Sequence, residues 1–159
     1  MALRIGVLTI SDRVSAQEME DRGATAIAGA LQSIDHQIAQ LAVVPDERAR
    51  IQDTLTAWCD DHDLDVIFTT GGTGLGPRDV TPEATAAVCS YLVPGIAENL
   101  RAAGLQDTPQ SMLSRAVAGV RGRTLIVNLP GSPAGASDGV EVLLPVLEHA
   151  VAIMHGGKH

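Results

Sequence analysis

Short apolar runs alternate with longer stretches of helical period along this chain. Ile5-Gly6-Val7-Leu8-Thr9-Ile10 is almost continuously apolar, the pattern of a strand covered on both faces in a parallel sheet, and it ends in polar Ser11-Asp12-Arg13. From about Arg22 to Ser33, and just beyond it, Ala26, Ile27, Ala30, Leu31 and Ile34 recur at i, i+1, i+4, i+5 and i+8, which predicts a helix. Ile38 to Val44 predicts a second strand, stopped by Pro45. Asp46 stands where it can cap the next helix, whose buried stripe is Ile51, Leu55, Trp58 and Cys59, with Asp60, Asp61 and Asp63 in solvent beyond it. Val66 to Thr70 is a third buried strand and leads straight into Gly71-Gly72-Thr73-Gly74-Leu75-Gly76-Pro77-Arg78-Asp79-Val80. Thr81-Pro82-Glu83-Ala84 predicts a helix start, with Thr81 as cap and Pro82 at the first helical position. An interrupted helical stretch covers about Val93 to Gly104, a polar loop Gln106 to Gln110, a fourth strand Thr124 to Leu129, and a last helix about Leu144 to Met154 with Pro145 near its start.

Strands alternating with helices predict a three-layer α/β/α domain on a mainly parallel sheet, and 159 residues without a linker or repeat predict a single domain over residues 1–159. One Trp, one Tyr and one Phe leave the core to aliphatic side chains, and leave little for a stacking platform of the kind single-strand binders use. Eleven basic against nineteen acidic side chains give a net charge of −8, which opposes general attraction to nucleic acid or anionic lipid. Lys158 is the only lysine, so a Walker-A lysine, a Schiff base and a lysyl-AMP intermediate are not expected. Cys59 and Cys89 have no zinc-type spacing and are expected to be reduced, buried and inert. The N-terminal apolar run meets Thr9-Ile10-Ser11-Asp12 too soon for a signal-peptide core, and no run is long enough to span a membrane, so a cytosolic, soluble protein is expected.

Ligands of open α/β sheets bind beyond the carboxyl ends of the strands, where the polar segments here concentrate: Thr9 to Arg13, Pro45-Asp46-Glu47, Gly71 to Asp79, and Asn128 to Ser132. The glycine loop is no P-loop, because Pro77-Arg78 stand where Lys-Ser/Thr would be needed, and no dinucleotide fingerprint, because the spacing from Gly72 lands on Pro77. Glycines alone make a long turn. Thr73 within the loop and Arg78-Asp79 at its end add a hydroxyl, a cation and a carboxylate, a set suited to phosphate oxygens and Mg²⁺. The Asp79 carboxylate can hold Mg²⁺ or position a reacting group. Local alternatives stand beside these roles. Asp46 is what helix capping alone would select, Asp79 suits an Asx turn, Ser114 suits a helix end, and Asn128 can be occupied with loop backbone. Trp58 is expected in the core; Arg121 and Arg123 on the surface or in subunit contacts; and His149, His155 and His159 on the surface.

Thr70-Gly71-Gly72-Thr73-Gly74-Leu75-Gly76-Pro77-Arg78-Asp79-Val80-Thr81-Pro82-Glu83-Ala84 resembles the signature of the molybdopterin adenylyltransferase (Mog/MoaB-type) family of molybdenum cofactor biosynthesis. Thr9-Ile10-Ser11-Asp12-Arg13, Val44-Pro45-Asp46-Glu47, Met112-Leu113-Ser114-Arg115 and Asn128-Leu129-Pro130-Gly131-Ser132-Pro133 follow in the family's order, so the resemblance covers essentially the whole chain. It implies the family's α/β fold and transfer of AMP from Mg-ATP to the terminal phosphate of molybdopterin with release of pyrophosphate. It also implies a homotrimer or dimer of trimers and a partner that inserts molybdenum. Carried over by position, it implies that Asp46 and Asp79 are the essential carboxylates and that Ser114 meets the molybdopterin phosphate; Asp79, with Asp46, is then the expected Mg²⁺ site bridging the ATP phosphates. Further substrate contacts would come from Ser11, Asp12, Gly71, Gly72, Thr73, Gly74, Arg78, Arg115, Asn128, Pro130, Gly131 and Ser132. A non-catalytic molybdopterin carrier of the same fold is the alternative, and a scaffold subunit a more distant one.

Overall fold

A computed structural model describes residues 1–158. The chain passes through β1 (Leu3–Ile10), α1 (Asp12–Ser15), α2 (Arg22–Ala30), a 3₁₀ turn (Leu31–Ser33), β2 (His36–Val44), α3 (Arg48–Asp61), β3 (Val66–Thr70) and α4 (Thr81–Val88). It continues through β4 (Tyr91–Leu92), α5 (Pro94–Gly104), a second 3₁₀ turn (Pro109–Leu113), β5 (Ala118–Arg121), β6 (Thr124–Leu129) and α6 (Pro133–Met154). The strands form one sheet in the order β2-β1-β3-β6-β5-β4. The first four are mutually parallel, and β5 and β4 add antiparallel pairs at one edge.

Alternation along each central strand divides the core into two layers. Leu3, Ile5 and Val7 of β1, Val66 and Phe68 of β3, and Leu125, Val127 and Leu129 of β6 pack against α2 and α6, with Ile96 and Leu100 of α5 at the margin. Leu8, Ile10, Ile67 and Ile126 face the opposite way, onto Ile51, Leu55 and Trp58 of α3 and Ala84 and Val88 of α4. Trp58 is in the core as expected, and Gly6 makes room for it: a Cβ there would stand 2.9 Å from the indole.

The four parallel strands and the three-layer arrangement agree with the sequence pattern, while several local expectations do not. Tyr91–Leu92 and Ala118–Arg121 are strands too short to show a period of their own. The last helix begins at Pro133, not near Leu144. Ser132 caps it by accepting the Gly135 N–H at 3.1 Å, and Pro145 lies inside it. The carbonyl that Pro145 cannot bond belongs to exposed Glu141, where water can serve it. Thr81 does not cap α4; its hydroxyl is fully buried and donates to the Gly71 carbonyl at 2.9 Å. Nor does Asp46 cap α3, which starts two residues later and has no side-chain cap.

Candidate active site

The carboxyl ends of β1, β2, β3 and β6 meet at one edge, and the loop after β3 stands among them. Thr70, its last strand residue, donates from Oγ1 to the Pro130 carbonyl at 2.8 Å, tying the ends of β3 and β6. Gly71 and Gly72 then turn with φ of +104° and +69°, which a side chain would oppose. Space opposes it as well, since a Cβ on Gly71 would run into the Ile10 carbonyl and one on Gly72 into Thr81 Oγ1, with Asp46 Oδ1 3.0 Å away.

Two pockets flank this loop. The smaller, about 520 Å³, is lined by Ser11, Asp21, Asp46, Gly71, Gly72 and Asp79, with Gly131 at its side. The larger, about 1120 Å³, is lined by Thr73, Gly74, Arg101, Ser114, Asn128 and Pro130, with Ser132 at the start of α6. Most of the candidate residues therefore divide between adjacent spaces that share the glycine loop as a wall, whereas Asp12, Arg78 and Arg115 line neither.

Four charged side chains hold that wall in place. Asp12 and Asp46 bond reciprocally: the Asp12 N–H donates to Asp46 Oδ2 at 2.9 Å and the Asp46 N–H to Asp12 Oδ1 at 3.0 Å. Arg78 closes on Asp12 with both Nε and Nη2, at 3.0 and 2.9 Å, so in this structure both side chains are occupied with each other. The Arg78 guanidinium, helped by the Asp46 amide, holds the Asp12 carboxyl below its ordinary value. Asp46 moves the other way: partial burial raises its carboxyl, and the negative charges of Asp12 and Asp79 add to this against the Asp12 amide and Arg78. Asp79 lies near the end of the loop, its Oδ2 accepting the N–H of Gly76 three residues back at 2.9 Å; the Thr81 N–H goes to Gly72 O, so the expected Asx turn toward Thr81 does not form. Among the described residues no three His, Cys, Asp or Glu side chains converge into a complete metal cage. Asp46 and Asp79, on the same cleft, still suit Mg²⁺, which usually takes one or two carboxylates and fills its octahedron with water and phosphate oxygens.

Arg115 is turned inward. Its backbone N–H donates to the Thr73 carbonyl at 2.8 Å, Nε to Gly74 O at 2.8 Å, Nη2 to Asp79 O at 2.7 Å and Nη1 to Glu83 at 2.6 Å. It braces the glycine loop from behind and lines neither pocket. Asn128 is wholly buried and equally committed: Nδ2 donates to Thr69 and Thr85 hydroxyls at 3.0 and 2.9 Å, and Oδ1 accepts the Val117 N–H at 3.2 Å. Ser11 caps α1 by accepting the Val14 N–H at 3.2 Å.

Sequence reasoning missed three residues. Asp21 lines the smaller pocket, caps α2 and accepts the Thr9 hydroxyl at 2.8 Å. Glu83 anchors Arg115, and Arg101 lines the larger pocket. Acidic residues before a helix and arginines within one are too common to stand out alone. Outside the site, Cys59 and Cys89 are free thiols, each pushed up to about 11 mainly by burial, and so have negligible thiolate at neutral pH. Arg121 is half-buried, paired with Asp60 at 2.8 Å and donating to Val88 O, whereas Arg123 is exposed. His149 is exposed, His155 lies 3.4 Å from Asp65 Oδ1, and His159 is outside the described residues.

The model of the probable molybdopterin binding domain matches residues 6–149. The chain is 38% identical over 156 residues to molybdopterin adenylyltransferase of Helicobacter pylori J99, covering 97% of this chain and 89% of that protein. It is 40% identical over 141 residues to the Escherichia coli K12 protein of the same name, covering 87% and 72%. The structure superposes with a TM-score of 0.92 on the molybdopterin biosynthesis enzyme MoaB of Thermus thermophilus, at 49% identity and 97% coverage of both chains.

Two substitutions test this geometry. Because the folded protein raises the Asp46 carboxyl, this group favours folding below its ordinary value of 3.8 and opposes it as pH rises through the folded value. Asp46→Asn, whose amide oxygen can still accept the Asp12 N–H, is expected to melt at or above wild type at pH 7, with the difference shrinking below pH 3.8. Calorimetry across that range, without ligands, checks the sign. Arg115→Lys cannot reach three acceptors at once and is expected to cost about 2 kcal/mol, or roughly 4–8 °C in melting temperature. An unchanged melting curve would mean that the bracing contacts contribute little.

Proposed function

The chain belongs to the molybdopterin-binding domain family, and on that premise we propose that it acts as a molybdopterin adenylyltransferase in molybdenum cofactor biosynthesis. A terminal phosphate oxygen of molybdopterin attacks the α-phosphorus of ATP. The bond from that phosphorus to the oxygen bridging the β-phosphate breaks, giving adenylyl-molybdopterin and pyrophosphate. The observation that carries this reading is the pair of pockets on one glycine wall, with Asp46 and Asp79 in one and Ser114 in the other. Group transfer between two substrates needs such adjacency, whereas a carrier that only holds a pterin has no use for a second, carboxylate-lined cleft.

The smaller pocket takes the nucleotide phosphates and the larger takes the pterin, whose phosphate reaches the shared wall beside Ser114. Asp46 and Asp79 each keep Oδ1 clear of the backbone amide that Oδ2 accepts, and these oxygens would hold Mg²⁺, which supplies charge neutralisation on the ATP phosphates. Backbone amides of the glycine loop add fixed dipoles toward the transferring group. Little covalent work falls to the protein, so alignment and electrostatics carry the reaction. With Lys158 the only lysine, transfer is direct, without a lysyl intermediate.

We further propose a cytoplasmic homotrimer or dimer of trimers that passes its product to the molybdenum-inserting step. Exposed Leu41 on edge strand β2 and Tyr91 and Leu92 on edge strand β4 are apolar surface of the kind subunit contacts cover. No helix among the described residues is long and apolar enough to cross a membrane.

Purified protein incubated with molybdopterin, ATP and Mg²⁺ is expected to yield adenylyl-molybdopterin and pyrophosphate in equal amounts. Asp79→Asn should lower kcat by on the order of 100-fold or more. Tight pterin binding without transfer would establish the carrier instead. Sedimentation at micromolar concentration is expected to give three or six times the 16.5 kDa chain mass, and a monomer would overturn the assembly.

A further inference from the structure

The larger pocket poses an electrostatic problem for its proposed occupant. A phosphate monoester is close to dianionic at neutral pH. The protein carries −8 overall, and Asp107, Asp138 and Glu141 line this pocket. A serine hydroxyl alone cannot offset that field. The arginines of the sequence motifs do not help, because Arg13 lines neither pocket, Arg78 is paired with Asp12, and Arg115 faces inward onto Gly74, Asp79 and Glu83. Arg101 of α5 is the only cationic side chain lining the larger pocket among the described residues.

Its geometry suits an anion. Nη1 donates to Ser114 O at 3.3 Å and to Ala116 O at 2.8 Å, which fixes the plane of the guanidinium against the strand-entry segment. Nε and Nη2 donate to no protein group among the described residues, so one edge of the fork remains for a ligand in the bidentate arrangement that favours phosphate. Ser114 Oγ accepts the Ala116 N–H at 3.3 Å, leaving its own proton to donate. The next residue bonds through its N–H to Thr73 O at 2.8 Å, which puts this end of the pocket against the glycine wall. An anion held by Arg101 and Ser114 lies at the boundary with the carboxylate-lined cleft.

We propose that Arg101 is the residue that recognises the substrate's phosphate monoester, with Ser114 as its neutral partner. This inference rests on the functional reading above. Ion pairing and a fixed fork make the larger pocket selective for the phosphorylated pterin over the same pterin without its phosphate, independently of ATP.

Equilibrium binding by fluorescence, with no nucleotide or metal, tests it with molybdopterin and dephosphorylated molybdopterin as probes. Arg101→Gln is expected to weaken molybdopterin binding roughly 10–100-fold while changing the dephosphorylated form less than about threefold, and Arg101→Lys to recover part of the loss. The KM for ATP should stay within about threefold of wild type for both variants. Should Arg101→Gln fail to fold after losing its bonds to Ser114 and Ala116, the discrimination ratio of Arg101→Lys decides, because the shorter cation weakens the phosphate contact selectively. Equal losses for both pterins, or no loss in a folded variant, would overturn the proposal and leave the transferase reading intact. Failure of wild type to bind either pterin would overturn both.

Discussion

The Ile10 carbonyl stands where a side chain on Gly71 would have to lie, and that close approach sets up the rest of the site. It lets the chain leave β3 in a left-handed turn and pass directly over the end of β1. Thr81 then locks the turn from below, donating to Gly71 O while its own N–H donates to Gly72 O. The loop over residues 71–80 is thereby tied between the ends of β1 and β6. Without that wall, one wide basin would cover the strand ends, and no fixed boundary would exist at which two substrates could meet.

An acidic protein that handles anions has to place its few cations with care, and here most do not face the pockets. Arg78 and Arg115 both act on the loop, one through Asp12 at its outer side and one through Glu83 behind it. What they provide is position: the Asp12 amide directs Asp46, and the Arg115 guanidinium grips the Asp79 carbonyl. As ion pairs these are partly exposed and contribute little by themselves; in Arg115 the stabilising part is its bonds to the Gly74 and Asp79 carbonyls. Of the two carboxylates, Asp46 is unfavourably placed as a charge, chiefly through burial, with the charges of Asp12 and Asp79 adding to it. Such a site trades folding stability for readiness to bind.

Below the wall, Thr69, Thr85 and Asn128 form a polar island in an otherwise aliphatic layer. Thr69 and Asn128 are register partners on β3 and β6, and Asn128 Oδ1 reaches on to the Val117 N–H just before β5. Every buried side-chain nitrogen and oxygen among the described residues finds a partner, so the island adds specificity of register without orphaned groups. It joins the parallel part of the sheet to the antiparallel edge, close to the Ser114 to Ala116 segment that borders the larger pocket.

Short, nearly unbroken apolar runs declare parallel strands because helices must cover both faces of such a sheet, so β1, β2, β3 and β6 and the three layers follow from the sequence. The same logic put the polar residues of the strand ends at one edge. Local pattern was blind to β4 and β5, which are held by pairing with β6 and with each other and not by any period of their own. It also misjudged ends, because Pro133 and Pro145 are both acceptable at a helix start and only packing of Ala136, Val140 and Leu143 decides that the helix begins at the first. At the site, residue types beyond the strand ends marked Asp46, Asp79 and the glycines, whereas Ser114, at the end of a 3₁₀ turn, was marked by the family resemblance alone. Which arginine faces inward and which faces a pocket was decided by acceptors distant in sequence, 41 residues away for Arg115 and Gly74. An arginine's type gives its charge; its direction depends on where the fold places the carbonyls and carboxylates it can reach.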